Sequence, residues 1–334
     1  MQTLITNYSR KQVKIYLEDG LISRLTAFLN PNLRYFIITD ERVASLYLDT
    51  VINQLPNFDL YLLPSGESSK NLEEVNRIIN YMLLADIQKN DYLLALGGGV
   101  IGDVTAFVAA IYKRGINYLS VPTTLISQVD SCLGGKCGVD FSVGTYLYKN
   151  QIGTIYHPEM ILVDPQVLNT LPRSEFTSGL SEVIKYGICF SPSLLEKITQ
   201  PELLSEVIYA CLSIKAGITE RDEFDQGERM TLNYGHTIGH ALESYSRFTL
   251  SHGQAVAIGM YYETKQPDLR TLLANLYQKI GINMDFSLPM AEIVDFIKKD
   301  KKTNQALITV PVLTKLGKVS IKTINLDDFC RGIK

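Results

Sequence analysis

No long apolar run occurs in this sequence of 334 residues. The longest stretches free of Asp, Glu, Lys and Arg are 15 residues, Gly115 to Val129 and Phe248 to Tyr262, and both contain polar or turn residues. A spanning helix needs about 20 apolar ones, so no membrane segment is expected. The N-terminus, MQTLITNYSRKQ, lacks the basic-then-apolar order of a signal peptide. A soluble, cytoplasmic protein is therefore expected. Basic excess is missing too. Lys and Arg number 32 against 35 Asp and Glu, a formal charge of -3. Nothing global recruits nucleic acid, and any affinity for anions must be local. Cysteines are few and odd in number: Cys132, Cys137, Cys189, Cys211 and Cys330. Their spacing suits neither a zinc ribbon nor a CxxC motif. They are expected to be reduced and mostly buried. Only four His occur, three of them within 17 residues, so their clustering is informative. There is no internal repeat and no low-complexity linker.

What is present is ordinary globular composition, 46% hydrophobic and 20% charged. The length suits two domains at roughly 150 residues each. Strand-like and helix-like segments alternate in the first half. Arg34–Thr39, Leu60–Leu63, Tyr92–Leu96 and Tyr118–Val121 read as strands, and Val75, Ile78, Ile79, Met82 and Leu83 recur at helical spacing. That rhythm implies a mostly parallel sheet covered by helices. Beyond Pro172 helical periodicity dominates to about residue 300, with capping-box spacing at Ser193 to Glu196. Two short strands follow, at 307–310 and 318–321. The expected fold class is α/β: an N-terminal Rossmann-like parallel-sheet domain, 1–172, and a mainly α-helical C-terminal domain, 173–334.

Gly97-Gly-Gly-Val-Ile-Gly102 fits G-x-G-x-x-G between a strand and a helical run. Such glycines let backbone approach a pyrophosphate at a helix N-terminus. The acidic residue usual about 20 positions later is missing. Asp40, ending its own strand, is the better ribose-hydroxyl acceptor. Alone, the loop is equally a tight turn. Asp40 and the Pro64–Glu67 turn favour a dinucleotide.

Arg229, Asn233, His236 and His240 have offsets i, i+4, i+7, i+11, which predict one helix face. Gly235 and Gly239 would each cost that helix roughly 1 kcal/mol relative to Ala. Lys215 interrupts an apolar stripe running from Leu204 to Asp222; buried, it would need an anionic partner. Glu182 and Lys185, at i, i+3, read by themselves as a surface ion pair. Paired His at i, i+4 can share a metal, but Thr237 breaks the H-E-x-x-H pattern. His252 lies just beyond the helix. Catalytic zinc takes three protein ligands and one open position; spacing leaves open which three.

In these residues and the segments around them, the chain resembles the 3-dehydroquinate synthases of the sugar phosphate cyclase family. The shared segments are GGGVIGD (97–103), RG (114–115), VPTTLISQVDS (121–131), GGK (134–136), KN.IG (149–153), LSEVIKYG (180–187), DEFDQGER (222–229), LNYGHTIGHALE (232–243), HGQAVAIGM (252–260) and DKK (300–302). The resemblance implies a divalent metal, zinc with cobalt as an alternative, on Glu182, His236 and His252. It leaves His240 as a non-ligand facing the substrate. NAD is implied at Asp40, Glu67, Lys70, Gly98, Gly99, Asp103, Thr123, Thr124 and Thr170. Catalytic roles are implied for Lys136, Lys185, Lys215, Arg229, Asn233 and His240, and substrate contacts for Asp130, Lys149, Asn150 and Lys301. Arg114 would reach the phosphate of a neighbouring subunit, implying a homodimer. The implied substrate, 3-deoxy-arabino-heptulosonate 7-phosphate, carries a phosphate and a carboxylate. Arg and Lys can neutralise both, with Arg229 the natural carboxylate fork. Closure of the two domains over the substrate is a further expectation.

The chain also departs from that pattern. Thr145 to Tyr148 form a four-residue insertion before Lys149. Cys137 stands where Thr is usual and Gln254 where Glu is usual, and the stretch after Met260 is shortened. Competing readings are a sister cyclase such as 2-deoxy-scyllo-inosose synthase, a metal-dependent polyol dehydrogenase, and a binding protein without turnover.

Overall fold

The structure is a computed structural model and describes residues 1–144, 146–246, 249–284, 290–300 and 307–333. The chain forms two compact units. The first comprises Met1–Leu171 with Lys215–Glu220, and the second Pro172–Ile214 with Arg221–Lys334. The sequence reading divides the chain at 172/173 and has no return of residues 215–220 to the first unit. Among the described residues no helix is long and apolar enough to cross a membrane.

Strands β1 (Gln2–Asn7), β2 (Gln12–Leu17), β3 (Tyr35–Asp40), β4 (Phe58–Leu63), β5 (Tyr92–Gly97), β6 (Asn117–Pro122) and β9 (Met160–Val163) build the main sheet of the first unit. Their order is β1-β2-β9-β6-β5-β3-β4. Every pairing is parallel except β1 with β2. Strand residues alternate between the two faces. Phe36, Ile38, Leu93 and Ala95 meet Val75, Ile78, Met82, Val104 and Val108 of helices α2 (Leu72–Leu84) and α3 (Gly99–Ile111). Tyr35, Ile37, Leu94 and Leu96 pack with Val43 and Val51 of α1 (Glu41–Ile52) and with Leu21 and Leu25. Burial on both faces explains why β3 and β5 read as unbroken apolar runs.

A separate antiparallel hairpin joins β7 (Lys136–Val143) to β8 (Tyr146–Ile155). Of the inserted residues, Tyr146, Leu147 and Tyr148 pair within the hairpin with Val143, Ser142 and Phe141, and Thr145 lies outside the described residues. Its register breaks between Val139 and Phe141: one residue there opposes three, Lys149 to Gln151, on β8. Asn150 takes a left-handed φ of 54° at this bulge. The sequence reading had no strand for β1, β2, β7, β8 or β9.

The second unit is mainly helical: α4 (Arg173–Cys189), α5 (Ser193–Lys197), α6 (Leu204–Arg221) apart from its residues Lys215–Glu220, α7 (His236–Tyr245), α8 (His252–Glu263), α9 (Pro267–Ile280), α10 (Met290–Asp300) and α11 (Leu326–Gly332), with the hairpin β10 (Leu307–Lys315) and β11 (Lys318–Asn325). Helix α8 is buried nearly all round, from Ala255 to Met260, as befits a helix without a polar face. A Cβ on Gly253 would stand 2.1 Å from the Ser178 carbonyl oxygen. Glycine there lets α8 start directly against α4.

Two local expectations are corrected. Ser193 is the first residue of α5 and Pro192 its cap, with no side-chain cap bond; Ser193 Oγ instead meets Ser191 Oγ at 3.2 Å. Arg229, Asn233, His236 and His240 do not share one helix. Residues Glu228–Asn233 form a 3-10 turn, and Gly235 at φ 80° breaks the chain before α7 begins at His236. Left-handed backbone cannot continue a right-handed helix. Gly235 is thus a cap, and only Gly239 lies inside α7.

Candidate active site

In an open parallel sheet, ligands bind beyond the carboxyl ends of the strands where the strand order reverses. Here β3 leads outward to β4, and the chain then returns to β5 on the other side of β3. The carboxyl ends around that point carry most of the expected nucleotide residues. Asp40 ends β3, Glu67 and Lys70 follow β4, Gly98 and Gly99 follow β5, and Thr123 and Thr124 follow β6. Asp40 Oδ1 accepts from the backbone N–H of Arg42 and Val43, capping α1, and from the Ser65 hydroxyl. Gly98 caps α3, so the first turn of that helix, with its unpaired N–H groups, opens at the glycines. Lys70, buried, forms an ion pair with Asp103 of α3. Thr123 N–H donates to Gly97 O at 3.0 Å, and the Thr124 hydroxyl meets the Ser127 hydroxyl at 2.9 Å. Thr170 is the outlier: its hydroxyl pairs with Tyr47 of α1.

The expected substrate residues of this unit fall into two groups. Lys215 is buried, and its Nζ sits 2.8 Å from Asp130 Oδ1 and 2.7 Å from Asp130 O. That is the anionic partner its apolar stripe demands. Lys149 Nζ lies 3.1 Å from Glu67 Oε1, which ties the hairpin to the loop after β4. Lys136 is exposed at the start of β7. Arg114, exposed, closes the 3-10 turn after α3 with a left-handed φ of 61°. Burial pushes the Cys132 and Cys137 thiols up to about 12, so both stay protonated and unreactive at neutral pH.

The second unit gathers metal-ligating groups. One group is Glu182, His236 and His252; another is His240, Glu243 and His252. Glu182 lies on α4, while His236 and His252 are the first residues of α7 and α8. Glu182 Oε1 is 3.2 Å from His252 Nε2 and 3.6 Å from His236 Nε2. Its Oε2 pairs with Lys185 Nζ, and both side chains are fully buried. This corrects the surface ion pair expected from the i, i+3 spacing.

Each imidazole is held from behind. His236 Nδ1–H donates to Tyr234 O at 3.1 Å, and His252 Nδ1 faces Glu243 Oε1 at 3.3 Å. Both Nε2 atoms are thereby turned toward Glu182. A histidine anchored through one nitrogen and turned inward through the other is how metal-binding imidazoles are oriented. Burial and the Lys185 charge push His236 down to about 4. Burial also disfavours charge on His252, but the flanking Glu182 and Glu243 outweigh it and raise it to about 9. A carboxylate and two inward imidazoles suit a divalent cation in place of that proton, and the donor set fits zinc or cobalt. His240, exposed, lies beside both rings, with centroids 5.3 Å from His236 and 6.3 Å from His252.

Arg229 is buried and donates through one guanidinium nitrogen to Glu223 O at 2.5 Å. Its turn is built by Asp222, whose carboxylate accepts from the backbone N–H of Gln226, Gly227 and Arg229. Burial opposes ionisation, but these N–H groups hold Asp222 below the usual carboxylate range. Asn233 is exposed at the end of the following 3-10 turn. Lys301 lies outside the described residues.

Three supporting carboxylates were missed from sequence. Glu243 stands seven residues after His236 and three after His240, on the same face of α7, so its spacing was a usable signal. Asp222 opens the DEFDQGER run but had no role. Glu263, the last residue of α8, accepts from Gly235 N–H at 2.9 Å and Ile238 N–H at 3.3 Å, capping α7 from a neighbouring helix. No local pattern announces that contact.

Comparison with known proteins agrees over the whole chain. Residues 60–178 match the family model of the 3-dehydroquinate synthase N-terminal region, and 179–303 that of its C-terminal region. A curated 3-dehydroquinate synthase of Clostridium botulinum is 37% identical over 98% of this chain and 100% of its own length. One from Dictyoglomus thermophilum is 36% identical over 100% and 98%. Among solved structures, 2-deoxy-scyllo-inosose synthase complexed with carbaglucose-6-phosphate, NAD+ and Co2+ superposes with a TM-score of 0.89 at 21% identity, covering 99% of both chains. ValA, a 2-epi-5-epi-valiolone synthase from Streptomyces hygroscopicus with NAD+ and Zn2+ bound, gives 0.85 at 21%, covering 98% and 96%. The structures share the fold and the curated relatives share the sequence throughout: this chain belongs to the 3-dehydroquinate synthase family.

Proposed function

We propose that the protein converts 3-deoxy-arabino-heptulosonate 7-phosphate into 3-dehydroquinate and phosphate, in the cytoplasm, using NAD and a divalent cation, zinc or cobalt. The observation that carries this is the inward-facing Glu182–His236–His252 set, in a chain whose relatives of that name match it from end to end. Sister cyclases match it only at 21% identity.

When bound, NAD+ supplies a hydride acceptor that later returns the hydride, and the cation supplies a Lewis acid beside the hydroxyl being oxidised. The chain's own residues do the rest. The α3 N-terminus at Gly98 and Gly99 binds the pyrophosphate, Asp40 a ribose hydroxyl, and Thr123 and Thr124 orient the nucleotide. Glu67, Lys70, Asp103 and Thr170 complete that set. Arg229 grips the substrate carboxylate as a planar fork. Lys136, Lys149, Asn150 and Lys301 neutralise the phosphate, which leaves once the oxidised carbon acidifies its neighbouring C–H. Lys185, Lys215, Asp130, Asn233 and His240 hold the hydroxyls and move protons at the sugar oxygens. Ring opening and an intramolecular aldol step then close the carbocycle. Keeping one substrate aligned through all steps is chiefly a positioning task. Arg114 serves the phosphate bound by a second copy of the chain, so the working species is a homodimer.

The test is direct. Purified protein, the heptulosonate phosphate, zinc and catalytic NAD+ should release one phosphate per substrate without accumulating NADH. NADH formed in step with substrate loss would mark a polyol dehydrogenase. Turnover of glucose 6-phosphate in its place would mark a sister cyclase.

A further inference from the structure

The hairpin bulge contains a buried carboxylate that the reaction does not use. Asp140 is 5% exposed and is the single β7 residue facing the three-residue excursion Lys149 to Gln151. Its Oδ1 accepts from Asn150 N–H at 2.8 Å. Its own N–H donates to Lys70 O at 2.8 Å, and it forms a parallel bridge with Asn71. Lys70 N–H in turn donates to Glu67 O at 3.0 Å, and Glu67 Oε1 meets Lys149 Nζ at 3.1 Å. These contacts close a ring: Glu67, Lys70, Asp140, Asn150, Lys149 and back to Glu67. One side of the ring is the loop after β4, and the other is the hairpin.

We propose that Asp140 is a positioning residue that sets Lys149 and Asn150 in register with the nucleotide-binding loop Glu67–Lys70, so that NAD binding orders the phosphate-binding side of the hairpin. The proposal rests on the cofactor and substrate reading above. Asn150 in left-handed backbone needs support that the hairpin ladder does not give, because the bulge interrupts that ladder. The Asp140 carboxylate supplies it through a charge-assisted bond to the displaced N–H. The same residue is bonded to the Lys70 carbonyl, so ordering the loop orders the bulge. Burial pushes the Asp140 carboxyl up, while Asn150 N–H and the nearby Lys70 and Lys149 charges favour its ionised form.

Hydrogen exchange on the unaltered protein, with and without NAD+, is the first arm. NAD+ should slow the amides of 138–144 and 146–152 at least fivefold. Asp140→Ala should abolish this protection, weaken NAD+ binding about fivefold by calorimetry and raise the KM for the heptulosonate phosphate about tenfold. Its kcat should stay within threefold and its zinc stoichiometry unchanged. Asp140→Asn keeps an acceptor for Asn150 N–H and should bring both constants back to within about twofold of the parent. A merely structural role would lower the active fraction, and hence kcat, while sparing KM. Parent-like constants in Asp140→Ala, or no exchange response to NAD+ in the unaltered protein, would overturn the proposal. If Asp140→Ala does not fold, the exchange response decides alone. A parent that binds NAD+ but releases no phosphate would sink the proposed activity and leave the exchange arm intact.

Discussion

Glu182 divides its two oxygens between different partners. One faces the imidazoles of His236 and His252, and the other meets Lys185. Glu182→Gln removes the anionic donor, and zinc affinity should fall by more than a hundredfold in a chelator competition. Glu243→Gln leaves all three donors in place but weakens the grip on His252 Nδ1. A loss of ten- to a hundredfold is expected there, in line with partners that orient ligands from behind. An unchanged affinity in Glu243→Gln would show that His252 needs no such brace. Asp222 makes a different residue-scale prediction. Its folded pKa is lowered, so its stabilisation is complete above the unfolded carboxylate pKa and is lost as pH falls through the folded one. Asp222→Asn should cost about 1–2 kcal/mol at neutral pH, and that deficit should shrink below about pH 4. Denaturant titrations at pH 7 and pH 3 measure it. Spacing alone could not assemble the ligand group: Glu182 lies 70 residues before His252, and only the family resemblance joined them. Glu243 was legible in the helical face and went unread.

At the scale of elements, the contact between α4 and α8 fixes the distance between the carboxylate and the second imidazole. Gly253 allows that contact, with the position of its missing Cβ 2.1 Å from Ser178 O. Gly253→Ala must push backbone apart, at an expected cost of about 1–3 kcal/mol. Because His252 is its neighbour, zinc affinity should drop with stability; stability lost with parent-like affinity would separate the two. The elements legible in sequence were those with simple signatures. Strands β3 to β6 are short apolar runs ended by turn residues, and α2 keeps a steady apolar face. Strand β9 is only four residues long, and β1 and β2 alternate exposed and buried positions. The β7–β8 hairpin is rich in glycine and polar residues and carries a bulge. The stripe from Arg229 to His240 kept its period by coincidence across a joint where Gly235 reverses the backbone. Periodicity detects faces, and it is blind to a single left-handed residue.

Across the whole molecule, the expected nucleotide residues belong to the first unit and the three proposed metal ligands to the second. Each ligand should therefore stabilise its own unit by mass action, about 2.7 kcal/mol at a hundredfold excess over Kd. In scanning calorimetry, zinc should raise the transition of the second unit and NAD+ that of the first, and EDTA should reverse only the former. A zinc shift that survives in His252→Ala would place the ion elsewhere. Chelation should nevertheless leave a cooperative fold. Lys185 already gives the buried Glu182 carboxylate an internal counterion. A newly made chain can therefore reach its native shape before any cation is delivered and wait, correctly assembled, for the ion to arrive.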